Sequence, residues 1–114
     1  METQQCNLNI RYDLPKDVWD KVSKVYELMP GWLGYGDGKN GETGIPYWFS
    51  FNTEDKSILA SVEPSGVHFV ANMELEEWLQ WKALIKQLAT EILGFKVGEI
   101  EEGEVGHEIE WIIQ

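Results

Sequence analysis

The spacing of apolar residues divides the chain into segments of two different periods. Residues 6–12 (CNLNIRY) alternate between apolar and polar, which predicts a half-buried β-strand. Asp13 then offers a side-chain cap and Pro15 fits a first helical turn, and apolar residues recur at helical spacing as far as Met29. The Pro-Gly pair that follows ends this first predicted helix. The predicted buried face of the strand carries Cys6, Leu8, Ile10 and Tyr12.

Three further strands are predicted in the middle of the chain. Residues 46–52 are rich in aromatic side chains, residues 57–63 contain β-branched ones, and residues 67–73 alternate. Residues 52–56 join the first two of these strands. Pro64-Ser65-Gly66 is predicted to form a hairpin turn between the last two, because proline presets φ and glycine accepts a left-handed conformation. Connections this short predict a meander of adjacent strands.

The longest periodic segment, residues 74–93, predicts a second helix. Gly94 is placed to end it. Residues 95–101 and 107–113 are then predicted as two short terminal strands, the second of which buries Trp111. The apolar stripe of the helix consists of Trp78, Trp81, Ile85, Leu88 and Ile92.

These segments predict a single α+β domain over residues 1–114, in the order β-α-β-β-β-α-β-β. The economical architecture is a two-layer sandwich, in which two helices cover one face of an antiparallel or mixed sheet of about five or six strands. A chain of 114 residues, of which 43% are hydrophobic, is long and apolar enough to form one core.

The distribution of charge narrows the classes of partner. The formal net charge is −11, and residues 97–114 carry six Glu without any Lys or Arg, which is more than half of that excess. Nucleic acids and acidic membranes are bound through Lys and Arg contacts to phosphate, so this balance argues against both. A cationic protein partner would instead be attracted and steered.

Features of the N-terminal region predict a cytoplasmic protein. Residues 1–14 lack the basic and apolar regions of a signal peptide. No apolar run in the chain approaches the roughly 20 residues that span a bilayer. The single cysteine, Cys6, cannot form an internal disulfide, and on the inward face of a strand it is expected to behave as a small inert hydrophobe.

One stretch, residues 31–51 (GWLGYGDGKNGETGIPYWFSF), is unusually rich in glycine and aromatic residues. A phosphate-binding loop needs a helix N-terminus after its glycines, whereas here Asp37 occupies the loop and a strand follows. A calcium loop needs oxygen ligands at alternate positions, and Lys39 and Gly41 break that register. Asp37, Asn40 and Glu42 could still converge on an ion, but we predict an adaptable binding loop without metal or cofactor.

Patterns typical of catalysis are weak elsewhere in the chain. His68 is predicted on the solvent face of a strand. Glu104, His107 and Glu108 could be drawn together as a metal site, but no second His or Cys stands at ligand spacing. Twenty acidic residues make chance carboxylate pairs common, and none lies in the apolar surroundings that raise a catalytic pKa. We therefore predict a binding protein and not an enzyme.

The residues predicted to bind the partner form two groups. Trp32 and Tyr35 lie among glycines, where little can bury them, and aromatic residues on adaptable loops are typical of recognition surfaces. Asp37 and Glu42 follow them in the same loop. The second group is the acidic C-terminal set of Glu99, Glu101, Glu102 and Glu104.

A small acidic α+β chain with the segments MPGWLG, IPYWFSF and LEEWLQWKALIKQLATEILGFKVGEIEEGEV resembles bacterial immunity proteins of contact-dependent growth inhibition and related polymorphic toxin systems. The resemblance lies in the organisation of most of the chain and carries over no individual site residue. It implies a protein that binds a cognate toxin domain, often a basic nuclease, and blocks its substrate-binding face.

Two other functions stay open at this point. Trp32 and Tyr35 could stack on a sugar or a cationic small molecule that Asp37 or Glu42 fixes in place. An enzyme that uses some of the acidic residues is the third alternative. A compact apolar pocket lined by the glycine-rich loop, residues 31–44, would favour the small ligand, and a strongly perturbed carboxylate in a cleft would favour the enzyme.

Overall fold

The computed structural model describes residues 1–112 and has an α+β fold built on a five-stranded antiparallel sheet. A helical segment over residues 16–28, in two short pieces, and one long helix complete it. The strands are β1 (Glu2–Leu8), β2 (Trp32–Tyr35), β3 (Pro46–Trp48), β4 (Ser57–Glu63) and β5 (Gly66–Met73). The helical elements are α1 (Lys16–Trp19), α2 (Val22–Leu28) and α3 (Leu75–Leu93). The order across the sheet is β1-β5-β4-β3-β2, so β1 and β2 are its edges.

The central hairpin forms where the sequence predicts it. All seven residues of β4 pair with β5, from Ser57–Asn72 to Glu63–Gly66. Gly66 has a φ of +147°, and a Cβ at this position would collide with the carbonyl of Leu8 in β1. Glycine is therefore needed here both for the turn and for the close approach of the neighbouring strand.

Helix α3 also follows its predicted stripe. Trp78, Trp81 and Ile85 are buried, and Leu88 and Ile92 are partly buried against the core. The helix ends at Gly94, whose φ of +84° gives the left-handed conformation common at helix C-termini. Within residues 1–112 no helix is long and apolar enough to cross a membrane.

Trp48 of β3 lies at the centre of the core. Its side chain is completely buried and its indole N–H donates to the carbonyl of Tyr26, at 3.1 Å. Four aromatic rings surround it with centroids 5.1 to 6.1 Å away, from Tyr26, Trp32, Phe69 and Trp81. Because these residues come from α2, α3 and the strands, one cluster joins the helices to one face of the sheet.

The first strand is shifted from its predicted position. β1 covers Glu2–Leu8 instead of residues 6–12, and Tyr12, predicted on the buried face, is 61% exposed. The cause is Asn9, a buried polar residue whose amide donates to the carbonyl of Lys96 and accepts from the N–H of Gly98. These bonds turn the chain away from the sheet.

The first predicted helix also differs at its start and in its middle. Asp13 does not cap it and forms an ion pair with Arg11 instead. The helix is then interrupted between Trp19 and Val22.

The two predicted C-terminal strands are wrong over the described residues. In place of strands at 95–101 and 107–113, one isolated bridge joins Phe95 to Trp111, and residue 113 lies outside the described part of the chain. Trp111 is 49% exposed, contrary to its predicted burial. The fifth strand is β2, inside the glycine-rich stretch. The observed order is therefore β-α-β-β-β-β-α.

The strand predicted over residues 46–52 is much shorter than expected. β3 ends at Trp48 because Phe49 adopts a φ of +70°, which no extended strand allows. This conformation lets the N–H of Phe49 donate to the carbonyl of Gly31, at 2.7 Å. The aromatic residues that follow therefore lie in a loop.

Candidate partner-binding surfaces

The two predicted groups of binding residues lie at opposite edges of the sheet. Trp32 and Tyr35 belong to β2. Residues 99–104 lie beside β1, because Asn9, the residue after β1, accepts a hydrogen bond from the N–H of Gly98. Four strand spacings separate the edges, roughly 19 Å. The groups therefore form two surfaces and not one small site.

The aromatic group is only partly available. Trp32 pairs with Trp48 in the sheet and packs at 6.2 Å from Tyr26 and 5.4 Å from Trp48, so it is half-buried and not loosely exposed among the glycines. Tyr35 is 45% exposed, and its hydroxyl shares a hydrogen bond with that of Ser23 at 2.8 Å. Trp32 therefore supports the core, and Tyr35 is the aromatic side chain a ligand can reach.

The glycine-rich loop is organised by its own hydrogen bonds. The carboxylate of Asp37 accepts from the N–H groups of Asn40 and Lys39, at 2.8 and 2.9 Å, and these bonds lower the pKa of Asp37. The side chain of Glu42 is exposed, and its N–H donates to the hydroxyl of Tyr47. Asp37 thus serves the loop itself, which leaves Glu42 as its free carboxylate.

Two of the four C-terminal glutamates are engaged within the chain. Glu99 is only 7% exposed, and its carboxylate lies 3.1 Å from Lys82 Nζ and 2.7 Å from Lys86 Nζ. Lys86 also reaches Glu104, at 2.9 Å, and Glu104 accepts the N–H of Glu99 at 2.8 Å. We call Lys82, Lys86, Glu99 and Glu104 the Lys–Glu cluster. It attaches the C-terminal segment to α3.

The Lys–Glu cluster shifts the protonation of its members. Partial burial opposes the charged form of Glu104, but hydrogen bonds from Lys86 and from the Glu99 N–H outweigh it and lower the pKa of Glu104 below 4.5. Burial likewise opposes the charge of Lys86, but bonds to Glu99 and Glu104 raise its pKa above 10.5. Both shifts favour the ionised pair.

The stability of the protein should depend on the charge of Glu104 at acid pH. A carboxyl whose folded-state pKa is lowered stabilises the fold above its unfolded value of 4.5, and this contribution is lost as the pH falls through the folded-state pKa. Urea unfolding of Glu104→Gln should therefore show less acid destabilisation below pH 4.5 than the parent. Glu108→Gln is the control, and an acid limb identical in Glu104→Gln and the parent would contradict this role.

Between the engaged residues, the chain presents two free carboxylates on a tight turn. The N–H of Gly103 donates to the carbonyl of Ile100, at 3.0 Å, and Glu104 N–H donates to the carbonyl of Glu99, at 3.1 Å. Glu101 and Glu102 occupy the two central positions and are exposed. We call residues 100–103 the acidic turn. Its base is fixed by the Lys–Glu cluster.

A shallow polar pocket of about 380 Å³ lies between the acidic turn and the open face of the sheet. The imidazole of His68, half-buried on this face as predicted, is 3.1 Å from the side-chain oxygen of Gln5. Glu63 reaches the pocket from the end of β4. Within residues 1–112 no group of three or more His, Cys, Asp or Glu side chains is arranged to hold a metal ion.

A second opening, the β4 cleft, is a cavity of about 200 Å³ between α2 and the sheet. Its apolar walls include Trp19, Tyr35 and Val62. The cleft forms because β3 begins only at Pro46 and its pairing with β4 does not extend past Leu59, which leaves the end of β4 uncovered. The cleft could not be predicted from the sequence, because the sequence shows neither the register of β3 on β4 nor the position of α2 beside it.

The single thiol, that of Cys6, is among the groups that line the polar pocket. Cys6 is buried as predicted, at 5% exposure. Burial and, secondarily, the charge of Glu99 raise the pKa of the thiol to about 12. A thiol in this state is a poor nucleophile, because the thiolate is the reactive form.

No protein-family model, curated protein or solved structure matches this chain. Its function therefore has to be judged from the chemistry of its own surfaces. The acidic turn and the β4 cleft are two features of that surface with a defined shape and a defined chemistry.

Proposed function

We propose that this chain is a small acidic binding protein that sequesters a cationic protein domain, and that it acts as an immunity protein against a toxin of that charge. The observation that carries the proposal is the acidic turn, in which Glu101 and Glu102 are held in place while remaining exposed. A basic nuclease domain is the class of toxin that fits best, because carboxylates can occupy a cleft built for phosphate.

The carboxylates of the acidic turn are free to pair with a partner. Lys82 and Lys86, the cations on the adjoining helix, already form ion pairs with Glu99 and Glu104. Within residues 1–112 no Lys or Arg side chain forms an ion pair with Glu63, Glu101 or Glu102. The surface therefore keeps a local excess of negative charge.

The ordered base of the acidic turn favours a long-lived complex, and this effect adds to the electrostatic attraction. A surface that is ordered before it meets its partner loses less conformational entropy on association. The long-range field of a chain with a net charge of −11 raises the rate of encounter with a cation. These two effects act on different steps, the first on the lifetime of the complex and the second on its formation.

The pKa shifts support binding over general acid–base catalysis. Hydrogen bonds lower the pKa values of Asp37 and Glu104, whereas a carboxyl that donates a proton near neutral pH needs a raised one. We accordingly propose that this chain is not an enzyme.

Glu101→Gln/Glu102→Gln tests the proposal against the partner captured from the source cells. The double variant should fold normally, and its association rate constant should fall on the order of tenfold at low salt, with a flatter salt dependence. Surface plasmon resonance at low and physiological salt measures both. The matched control is Glu108→Gln/Glu110→Gln, which removes the same charge from exposed positions of the same segment.

Equal rates in the Glu101/Glu102 variant and the parent would exclude the acidic turn from the interface. Equal slowing in both double variants would mean that only net charge matters. The immunity function has its own readout: a stoichiometric amount of this chain should abolish the activity of the captured domain and restore growth of cells that express it. A captured domain that keeps full activity in the complex would contradict that function.

The β4 cleft favours a second function, the binding of a small ligand. It is apolar and it is lined in part by the glycine-rich loop, through Tyr35 and Gly44. Its volume of about 200 Å³ is below the roughly 300–1,000 Å³ of ordinary ligand pockets, so we place this function second.

A further inference from the structure

We propose that the open edge of β4 binds an extended segment of the cationic partner by β-strand addition. The inference rests on the proposed function and adds a second contact to it. The segment would place an apolar side chain in the β4 cleft and a Lys or Arg beside Glu63.

The edge is open because β3 begins only at Pro46 and leaves the last residues of β4 uncovered. β4 pairs with β5 throughout, but β3 pairs only with Ile58 and Leu59. The next residue of β3 toward the loop is Pro46, which has no N–H to donate to the ladder. Before it the chain turns away, since the N–H of Gly44 donates to the carbonyl of Gly36 at 3.0 Å.

The backbone of Val62 points into this opening. Glu63 and Gly66 flank a two-residue turn, and residues in that position form a hydrogen-bonded pair. Pairs alternate along an antiparallel ladder, so the next pair, Val62 and Val67, is not hydrogen-bonded. The N–H and C=O of Val62 are therefore directed away from β5, toward the side where β3 is missing.

The surroundings of Val62 favour a peptide with an apolar side chain. Val62 is 54% exposed and lines the β4 cleft together with Trp19 and Tyr35. An unpaired strand edge is a template for another strand, and pockets beside it select the side chains of the added strand.

Charge selects among the peptides that fit this edge. Glu63 is the last residue of β4 and is exposed, and it also lines the polar pocket that Glu101 and Glu102 border. A strand that leaves the cleft at this end therefore meets carboxylates and no free cation among the residues lining the two openings. An extended segment with alternating apolar and basic residues is the occupant with complementary chemistry.

Three blocked synthetic peptides test the inference by NMR. The probe is KVKVKVK and the charge control is EVEVEVE. The backbone control is KVKPKVK, in which proline removes one N–H donor from the added strand. Saturation with the probe should slow exchange of the Val62 N–H about tenfold, because a bonded amide is protected from water. Chemical-shift changes should centre on residues 60–63, and neither control should produce this protection.

Val62→Pro removes the outward N–H while leaving the bonds to β5 intact, since proline is tolerated where the N–H faces solvent. It should weaken binding of KVKVKVK at least about tenfold, whereas Val62→Thr, which keeps the donor, should have a smaller effect. Glu63→Lys gives an independent test if Val62→Pro does not fold, and it should also weaken binding of KVKVKVK. Unchanged affinity in Glu63→Lys or in a folded Val62→Pro would overturn the inference.

The remaining outcomes separate this inference from the proposed function. Protection centred away from β4, or equal binding of KVKVKVK and EVEVEVE, would overturn strand addition at this edge. If so, partner association that still depends on Glu101 and Glu102 would leave the proposed function standing. If the peptide binds as expected but association of the partner does not depend on Glu101 and Glu102, the acidic turn would be excluded from the interface and the β4 edge would remain the proposed contact.

Discussion

Trp48→Ala is expected to lower the free energy of unfolding by about 3–5 kcal/mol, the usual range for removing a large buried aromatic side chain. The loss has two sources. The ring is completely buried among four other aromatic rings, so its removal leaves a cavity at the centre of the core. The carbonyl of Tyr26 also loses one of its two donors, the indole N–H, and keeps the N–H of Met29. Equilibrium unfolding in urea, followed by far-UV circular dichroism, measures the change.

Two further variants make the measurement specific. Trp48→Phe keeps an aromatic ring and removes the N–H, so its loss should be smaller than that of alanine. Leu79→Ala, on the exposed side of α3 at 49% exposure, should change the stability by less than about 1 kcal/mol. If Trp48→Ala were as stable as Leu79→Ala, α2 and α3 could not pack around a buried Trp48.

The local sequence pattern was sufficient to predict the elements whose structure depends mainly on their own residues. Helix α3 has five apolar residues at helical spacing and a glycine at its end, and both features act within the segment. The β4–β5 hairpin joins two runs of strand-forming residues through Pro64-Ser65, so its pairing is also local. These elements agree with prediction because no distant contact has to decide them.

Strand β2 could not be predicted because its stability comes from a distant partner. Gly34 weakens it as an isolated strand, and its formation depends on pairing with β3, where Trp32 lies opposite Trp48. The C-terminal strands fail for the converse reason. Residues 107–113 have an alternating pattern, but only Trp111 finds a bridge partner among the described residues.

The negative charge of the candidate surface could be predicted from the sequence, but the ion pairs that engage part of this charge within the chain could not. The sequence shows six C-terminal glutamates but does not show that Glu99 and Glu104 are engaged with α3. One sequence feature points to it in hindsight. Lys82 and Lys86 are four residues apart, so they share a helix face, and a pair of cations on one face of an acidic chain needs acidic neighbours.

The Lys–Glu cluster connects the fold to the proposed binding surface. α3 is anchored in the core by Trp78, Trp81 and Ile85, and its lysines hold Glu99 and Glu104 on either side of the acidic turn. The position of Glu101 and Glu102 is therefore set by the most regular element of the fold. A residue of the cluster that never touches the partner should still influence the lifetime of the complex.

Glu99→Gln is expected to lower the free energy of unfolding by about 2–3 kcal/mol. Removing one member of a buried ion pair leaves the other charge without compensation, and here Glu99 accounts for contacts to both Lys82 and Lys86. The loss should fall below the largest values for buried pairs, because Glu104 still reaches Lys86 and the two lysine side chains are 18% exposed. Urea unfolding measures it, with Glu108→Gln as a control of equal charge.

The same variant should loosen the acidic turn without removing its carboxylates. Amide exchange at residues 100–104 should become faster, because Glu99 no longer holds the segment against α3. The captured partner should then dissociate faster from Glu99→Gln than from Glu108→Gln, since the loosened turn must be ordered again in the complex. Removing Glu101 and Glu102 acts mainly on association, so the two variants differ in the rate constant they change. A Glu99→Gln protein with parental stability, exchange and dissociation rate would show that the turn is held by its own backbone hydrogen bonds, and that the Lys–Glu cluster has no part in binding.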